Sequence, residues 1–190
     1  MKKFIIVMMA FALVFTLAGC GGGGGGGGSV DQNIAKYNGL KESEEFYKDV
    51  TCASITVGLT EMETSFANKD LSGNDKKNVL ANYISDTFKN ETKETSSKDD
   101  LLNVMGSRFN RYIVNEWGFK VTSYSKHPEN NPTEIQTECS IRLNLTKKEG
   151  AEGSVNTWNS AVLNRKIVWV KEGDDWKIKS GFPYDRSTDF

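Results

Sequence analysis

The sequence contains a single histidine, three prolines and three cysteines in 190 residues. His127 stands beside Pro128, which places it in a turn, so no Ser-His-Asp or Cys-His catalytic group can be assembled around it. The sequence also lacks a Cys-x-x-Cys pair and any cluster of histidine with cysteine. These absences leave a metal centre or a dithiol redox site without support, and we predict no catalytic residue, no metal ligand and no cofactor.

The chain also lacks an excess of charge of either sign. It has 24 Lys+Arg and 25 Asp+Glu, a formal net charge of −1, and the loss of Lys2 and Lys3 with a signal peptide would leave about −3. No basic segment dominates, and the fold signals are not those of a nucleic-acid-binding domain. We therefore expect no nucleic-acid partner.

A long apolar run occurs only at the N-terminus, and it is too short to cross a membrane as a helix. Residues 4–17 are apolar except for Thr16, whereas a membrane-spanning helix needs about 18 or more apolar residues. The run follows the positive segment Met1-Lys2-Lys3, an order typical of a secretory signal. We predict that residues 1–19 are a signal peptide.

The end of this run, Leu17-Ala18-Gly19-Cys20, resembles the bacterial lipobox. The resemblance implies that a diacylglycerol is attached to the sulfur of Cys20, that the signal is cut before it, and that the mature protein is lipid-anchored to the cell envelope outside the cytoplasm. Gly21, where an aspartate often marks inner-membrane retention, implies the outer membrane if the host is Gram-negative. The alternative is an ordinary secretory signal with a chance cysteine.

A glycine tract follows the cysteine. Residues 20–29 comprise Cys20, eight glycines and Ser29, and such a tract cannot pack a core, so we predict a flexible tether. A phosphate-binding glycine loop is excluded because no strand precedes it and no Lys-Ser or Lys-Thr follows it. Residues 30–49 are predicted to be a polar linker or a frayed helix, and residues 50–190 a single domain.

Three helices are predicted at the start of this domain. Residues 51–68 carry apolar side chains at helical spacing; these are Ile55, Leu59, Met62 and Phe66. Ser72 with Asp75, and Ser97 with Asp100, have the spacing of capping boxes that begin the second and third helices. The second apolar stripe reaches Phe88, and the third helix is predicted to end at Gly118.

After Gly118 the apolar period changes to two, which predicts strands. The clearest strand places Cys139, Ile141, Leu143 and Leu145 on one face. Residues 156–182 predict a long strand, a Glu-Gly-Asp-Asp turn and a short strand with Trp176 and Ile178 inward. Helices followed by an antiparallel meander with one covered face make an α+β fold.

Three stretches are similar to nuclear-transport-factor-2-like domains of the cystatin-like superfamily, including SnoaL-like proteins: "FANKDLSGNDKKNVLANYISDTFKN", "SSKDDLLNVM" and "RKIVWVKEGDDWKIKSG". The resemblance covers about residues 50–184. It implies a curved antiparallel sheet wrapped around the helices as a cone with an open mouth. Ketosteroid isomerases and dehydratases of this superfamily use a carboxylate or a histidine inside the cone.

Several residues are candidates for a site. Pocket-lining side chains in the cone are predicted among the aromatics Tyr83, Phe109, Tyr112, Trp117 and Trp169. Cys52 and Cys139 either form a disulfide or are two separate buried thiols. We interpret His127 as a solvent-exposed turn residue and Asp86 as a surface carboxylate, rather than as proton-transfer groups.

These observations favour a membrane-anchored extracytoplasmic lipoprotein with a non-catalytic binding or protein-interaction domain. Its expected partners are the membrane, through the lipid, and an envelope protein. One alternative is a protein that binds a small apolar ligand in the cone. A second alternative is an isomerase-like or dehydratase-like enzyme acting there.

Overall fold

A computed structural model describes residues 32–89 and 97–182. The predicted signal peptide, the lipid site Cys20 and the glycine tether lie outside the described residues. The described chain forms five α-helices, one 3-10 turn and four strands: α1 (Gln32–Gly39), α2 (Glu44–Lys48), the 3-10 turn (Val50–Cys52), α3 (Ala53–Ala67), α4 (Gly73–Ala81), α5 (Lys98–Arg111), β1 (Tyr112–His127), β2 (Glu134–Lys147), β3 (Thr157–Glu172) and β4 (Asp175–Ser180).

The helix starts follow the sequence signals. Ser72 and Asp75 form a reciprocal capping box at the start of α4, and Ser97 and Asp100 form another at the start of α5. In each box the serine oxygen accepts a backbone N–H and the aspartate accepts one in return, which satisfies donors that the first helical turn leaves open.

The second and third helices are shorter than predicted. The expected second helix ends at Ala81, because the chain then pairs with β4: Tyr83 O accepts a hydrogen bond from Ile178 N at 2.7 Å. The third helix ends at Arg111 instead of Gly118, and residues 112–118 belong to β1. The expectation that Tyr112 and Trp117 lie on a helix was therefore wrong.

The four strands form one antiparallel sheet in the order β1-β2-β3-β4. The register shifts twice in the β1–β2 pair, once in the β2–β3 pair and once in the β3–β4 pair. Such bulges bend and twist a sheet. The expected α+β fold, with helices packed on a curved antiparallel sheet, is confirmed.

The inner face of the sheet packs on the helices to form the core. Its buried residues come from α2 to α5, from all four strands and from the segments after α4 and β4, and the largest fully buried side chains include Trp169, Phe46, Phe66, Phe182, Met62 and Leu80. The strand faces agree with the predicted alternation, since Cys139, Ile141 and Leu143 are all fully buried. This packing supplies most of the stabilising burial of the domain.

The outer face of the sheet is also covered in part, contrary to expectation. Arg142 is buried on this face. Helix α1 packs on β2 and β3, and its Tyr37 hydroxyl lies close to Gly118, where an added Cβ would stand 2.8 Å away. Lys120 holds the end of α1, because its Nζ donates to the carbonyl of Tyr37 at 3.0 Å. Residues 30–49 were predicted to be a polar linker or a frayed helix. In the structure, residues 32–39 and 44–48 form α1 and α2, and these helices bury Tyr37 and Phe46.

Part of the β1 edge is covered by one backbone amide and two side chains from the helical segments that precede it. Ser43 N donates to Val121 O at 2.7 Å, and Val121 N donates to the hydroxyl of Tyr47 at 3.4 Å. Phe119 N donates to a carboxylate oxygen of Glu63. Because an open strand edge is a template for pairing with another chain, these caps protect β1 along this stretch.

Candidate functional site

The space enclosed by the sheet and helices is filled by aromatic side chains. The rings of Phe66 and Phe109 have centroids 4.8 Å apart, and those of Phe66 and Trp117 are 4.9 Å apart. Phe182, after β4, stacks on Trp117 at 6.3 Å. Ring pairs at these separations are stable core contacts. Among the described residues, 32–89 and 97–182, these rings occupy space that a cone-shaped fold could otherwise offer to a ligand.

A small cavity of about 10 Å³ remains inside. It is lined by Met105, Phe109, Tyr112, Val114, Trp117 and Leu145, with Arg108 beside them. One water molecule needs about 10–15 Å³ of such volume, whereas pockets for small molecules measure about 300–1,000 Å³. The cavity therefore has room for about one water and not for a ligand of metabolite size.

The structure brings three of the five predicted pocket residues together. Phe109, Tyr112 and Trp117 line the small cavity. Tyr83 lies elsewhere: its hydroxyl donates to Glu61 at the surface. Trp169 is fully buried, and its indole N–H donates to Thr137 Oγ1 at 3.0 Å, so it is a core residue with its polar group satisfied.

Cys52 and Cys139 are free thiols, and both are buried. The structure thus corresponds to the second of the two alternatives, two separate thiols. Burial raises the pKa of each thiol to about 12. A thiol with so high a pKa has almost no thiolate at neutral pH and is a poor nucleophile.

His127 and Asp86 are both exposed. His127 is the last residue of β1 and does not lie in the turn that follows, contrary to the prediction; its imidazole Nε2 lies 3.0 Å from Ser125 Oγ on the same strand. Asp86 pairs with Lys98 at 2.9 Å, and the hydrogen bond from Lys98 lowers the pKa of its carboxyl. Neither residue is among those that line the interior cavity.

Glu63 is the carboxylate whose position sequence reasoning missed. It lies on α3, partly buried against β1, and accepts the backbone N–H of Phe119. Burial raises the pKa of Glu63 to about 7, and the negative charge of nearby Glu42 contributes in the same direction. A carboxyl with a pKa near neutral can transfer protons. Glu63 is, however, not among the residues that line the interior cavity.

Larger depressions lie on the outside of the domain. One of about 370 Å³ runs between α4 and α5, and one of about 280 Å³ lies beside Tyr83 and Trp176. A third, of about 180 Å³, lies on the sheet next to Tyr124 and Lys166. Each is many times larger than the cavity in the interior.

Within residues 32–89 and 97–182, no group of three or more His, Cys, Asp or Glu side chains could hold a metal ion. Nor does this part of the chain contain a helix of the length and apolarity that spanning a membrane requires.

No family model and no curated protein matches the sequence. Solved structures that are similar to the chain include a conserved protein from Planctomyces limnophilus DSM 3776, with 13% identity, a TM-score of 0.49 and coverage of 67% of this chain and 90% of that one. They also include a Nuclear transport factor 2 (NTF2-like) superfamily protein from Salmonella enterica subsp. enterica serovar Typhimurium str. LT2, with 12% identity, a TM-score of 0.47 and coverage of 68% and 87%. The α+β class itself rests on the helices and strands described above.

Proposed function

We propose that this protein is a lipid-anchored, extracytoplasmic protein of the bacterial envelope whose domain binds partners through its outer surface and catalyses no reaction. The observation that carries the non-catalytic part is the filled interior, with a cavity of about 10 Å³. An enzyme of this shape needs a cavity in which substrate meets the catalytic group, and a ligand carrier needs one that encloses the ligand. The expected partner is an envelope component that contacts the outside of the domain.

The anchor rests on the sequence. The positive start, the short apolar run, the lipobox Leu17-Ala18-Gly19-Cys20 and the glycine tract all agree with a lipid on Cys20 and with a location outside the cytoplasm. Two or more acyl chains hold a protein stably on a membrane without a spanning segment. If the host is Gram-negative, Gly21 after the cysteine favours the outer membrane.

The anchor is tested by replacing Cys20→Ser in the full chain and separating membrane from soluble fractions. We expect the native protein in the membrane fraction and the variant outside it, while the control Ser29→Ala, which leaves the lipobox intact, stays with the membrane. Incorporation of labelled palmitate should be lost with Cys20→Ser only. Unchanged partitioning of the Cys20→Ser variant would refute the anchor.

The binding mode is tested separately with a small apolar probe, such as the fluorescent dye 1-anilinonaphthalene-8-sulfonate. A filled interior predicts no saturable one-to-one binding to the native protein. Saturable binding of the dye that quenches the fluorescence of Trp117, which lines the cavity, would favour the alternative of a small apolar ligand in the cone.

A further inference from the structure

The groove between α4 and α5 is lined by polar and positively charged side chains. Its side chains are amides, a hydroxyl and two cations, from Asn74, Asn103, Asn110, Ser107, Lys77 and Arg111. No carboxylate is among the lining residues, although the chain carries 25 acidic residues. The space measures about 370 Å³ and is open to solvent, so a sugar ring in it would be enclosed on one side only, as suits one unit of a longer glycan.

Two buried glycines let the helices approach closely at this groove. A Cβ added to Gly73 would overlap the side-chain amide of Asn110, and one added to Gly106 would stand 2.9 Å from Cδ of Lys77. Side chains of the facing helix therefore lie directly on these glycines. The aliphatic stem of Lys77 lies against Gly106, which lines the same groove.

Several of the polar side chains that line the groove have no partner among the described residues. Among residues 32–89 and 97–182, the Lys77 ammonium has no carboxylate within ion-pair distance, and the amides of Asn74 and Asn103 form no hydrogen bond. Arg111 donates one hydrogen bond, from Nε to Ser107 O at 3.4 Å, and its guanidinium carbon lies 6.0 Å from the centroid of the Tyr112 ring. Its two terminal nitrogens keep their N–H donors for a ligand. The nearest acid of α4, Asp75, is occupied by its capping box with Ser72.

We propose that this groove binds an acidic sugar, a pyranose that carries a carboxylate, within a larger glycan. A side-chain amide both donates and accepts hydrogen bonds, as a sugar hydroxyl does, so three amides and one hydroxyl suit a ring with several hydroxyls. Lys77 and Arg111 supply the donors for the carboxylate, and charge-assisted bonds of this kind are the stronger ones. The proposal rests on the proposed surface-binding function and names its ligand class and its site, but it does not depend on the lipid anchor.

The test is a titration of the full-length protein, in detergent, with oligogalacturonate. Binding is monitored through the NMR signals of the asparagine side-chain amides. We expect saturable shifts at Asn74 and Asn103. Lys77→Met keeps the packed stem and removes the charge, and it should weaken binding about tenfold, the effect of about 1.4 kcal/mol. The matched control Lys69→Met removes the same charge from an exposed position outside the lining and should leave affinity unchanged.

Asn103→Asp provides a second variant in an exposed position, so its fold is not at risk. It adds a negative charge without changing volume, and it should lower affinity for oligogalacturonate more than for a neutral dextran. Inorganic phosphate is the competing arm: if phosphate alone shifts the same amides as strongly as the uronate does, the site recognises a simple anion and the sugar proposal is overturned. Absence of saturable shifts, or equal loss in Lys69→Met and Lys77→Met, overturns it as well.

These outcomes are separate from those that test the proposed function. If the groove does not bind oligogalacturonate and the apolar dye does not enter the interior, the proposed surface-binding function stands and the acidic sugar is rejected as its ligand. Entry of the probe into the interior would reject surface binding itself.

Discussion

The carboxylate of Asp49 lies 3.0 Å from the ammonium of Lys126, and the same oxygen accepts the hydroxyl of Tyr124 at 3.0 Å. Asp49 stands between α2 and α3, whereas Lys126 and Tyr124 lie near the end of β1, so this contact joins the N-terminal helices to the sheet. Burial alone would raise the pKa of Asp49, but the hydrogen bonds from Lys126, Thr51 and Tyr124 outweigh it and hold the pKa at about 2.

This contact predicts a specific loss of stability in acid. Because the folded pKa lies below the ordinary 3.8, the stabilisation is present above pH of about 4 and is lost as the pH falls towards 2. Asp49→Asn should lower the free energy of unfolding at pH 7 by about 1 kcal/mol, after allowance for solvent screening. Urea unfolding from pH 7 to pH 2 should show the native protein and the variant converging.

The control for this experiment is Asp174→Asn, in the exposed turn between β3 and β4. It removes the same charge without a comparable set of partners and should not change the acid dependence. A constant difference between the native protein and Asp49→Asn at all pH values would contradict the assignment.

The environment of Glu63 predicts that the free energy of unfolding depends on pH in the opposite direction near neutral pH. Its folded pKa, about 7, lies above the ordinary 4.5, so the folded chain keeps a proton that the unfolded chain releases between these values. The free energy of unfolding therefore falls as the pH rises through this window. Glu63→Gln keeps an acceptor for Phe119 N–H and removes the charge, so the variant should gain about 1–2 kcal/mol relative to the native protein between pH 5 and pH 8.

Thermal or urea unfolding at several pH values measures this gain. Glu129→Gln, in the exposed turn after β1, is the matched control and should show no such trend. If Glu63→Gln and the native protein keep the same difference at pH 5 and pH 8, Glu63 is ionised throughout and the interpretation of its environment is wrong.

The periodicity of the sequence was sufficient to predict α3 and the strand faces, but it was ambiguous at the α5–β1 junction. Leu101, Met105, Phe109 and Tyr112 continue a helical stripe, while Tyr112 and Val114 already alternate as a strand does. Both patterns place apolar side chains in the core, so tertiary pairing with β2, and not local spacing, decides where the helix ends.

The features of the candidate sites depend on contacts between distant segments. Arg142 was expected on a solvated face, and it is buried because α1, about a hundred residues earlier, packs over that face. Glu63 could have been noticed, since it lies at the margin of the apolar face between Leu59 and Phe66. Its proximity to Glu42 and Phe119 could not have been derived from the sequence.

We predict that position 181, occupied by Gly181, does not tolerate a side chain. Its φ is +78°, and an added Cβ would overlap the backbone carbonyl of Lys166. Gly173 is the matched control, because its φ is +64° but nothing lies within 4 Å of an added Cβ. Gly173→Ala should cost about 1 kcal/mol from backbone strain alone, and Gly181→Ala clearly more, because the chain must also move. Equal losses in chemical unfolding would show that the contact with Lys166 relaxes freely.

The filled interior predicts that a ligand site can be created by removing a single ring. Phe109 is 2% exposed and lines the small cavity, so Phe109→Ala should lower the free energy of unfolding by about 3–5 kcal/mol and leave an apolar void. Benzene should then raise the melting temperature of the variant and leave that of the native protein unchanged, because a ligand stabilises only a state that binds it.

Met105→Ala, at a second lining position, replaces Phe109→Ala if that variant does not fold. Val104→Ala, at a position 41% exposed on the same helix, is the control that leaves no void. A rise in the melting temperature of the native protein with benzene would show that the interior already accepts ligands and would contradict a surface-binding function.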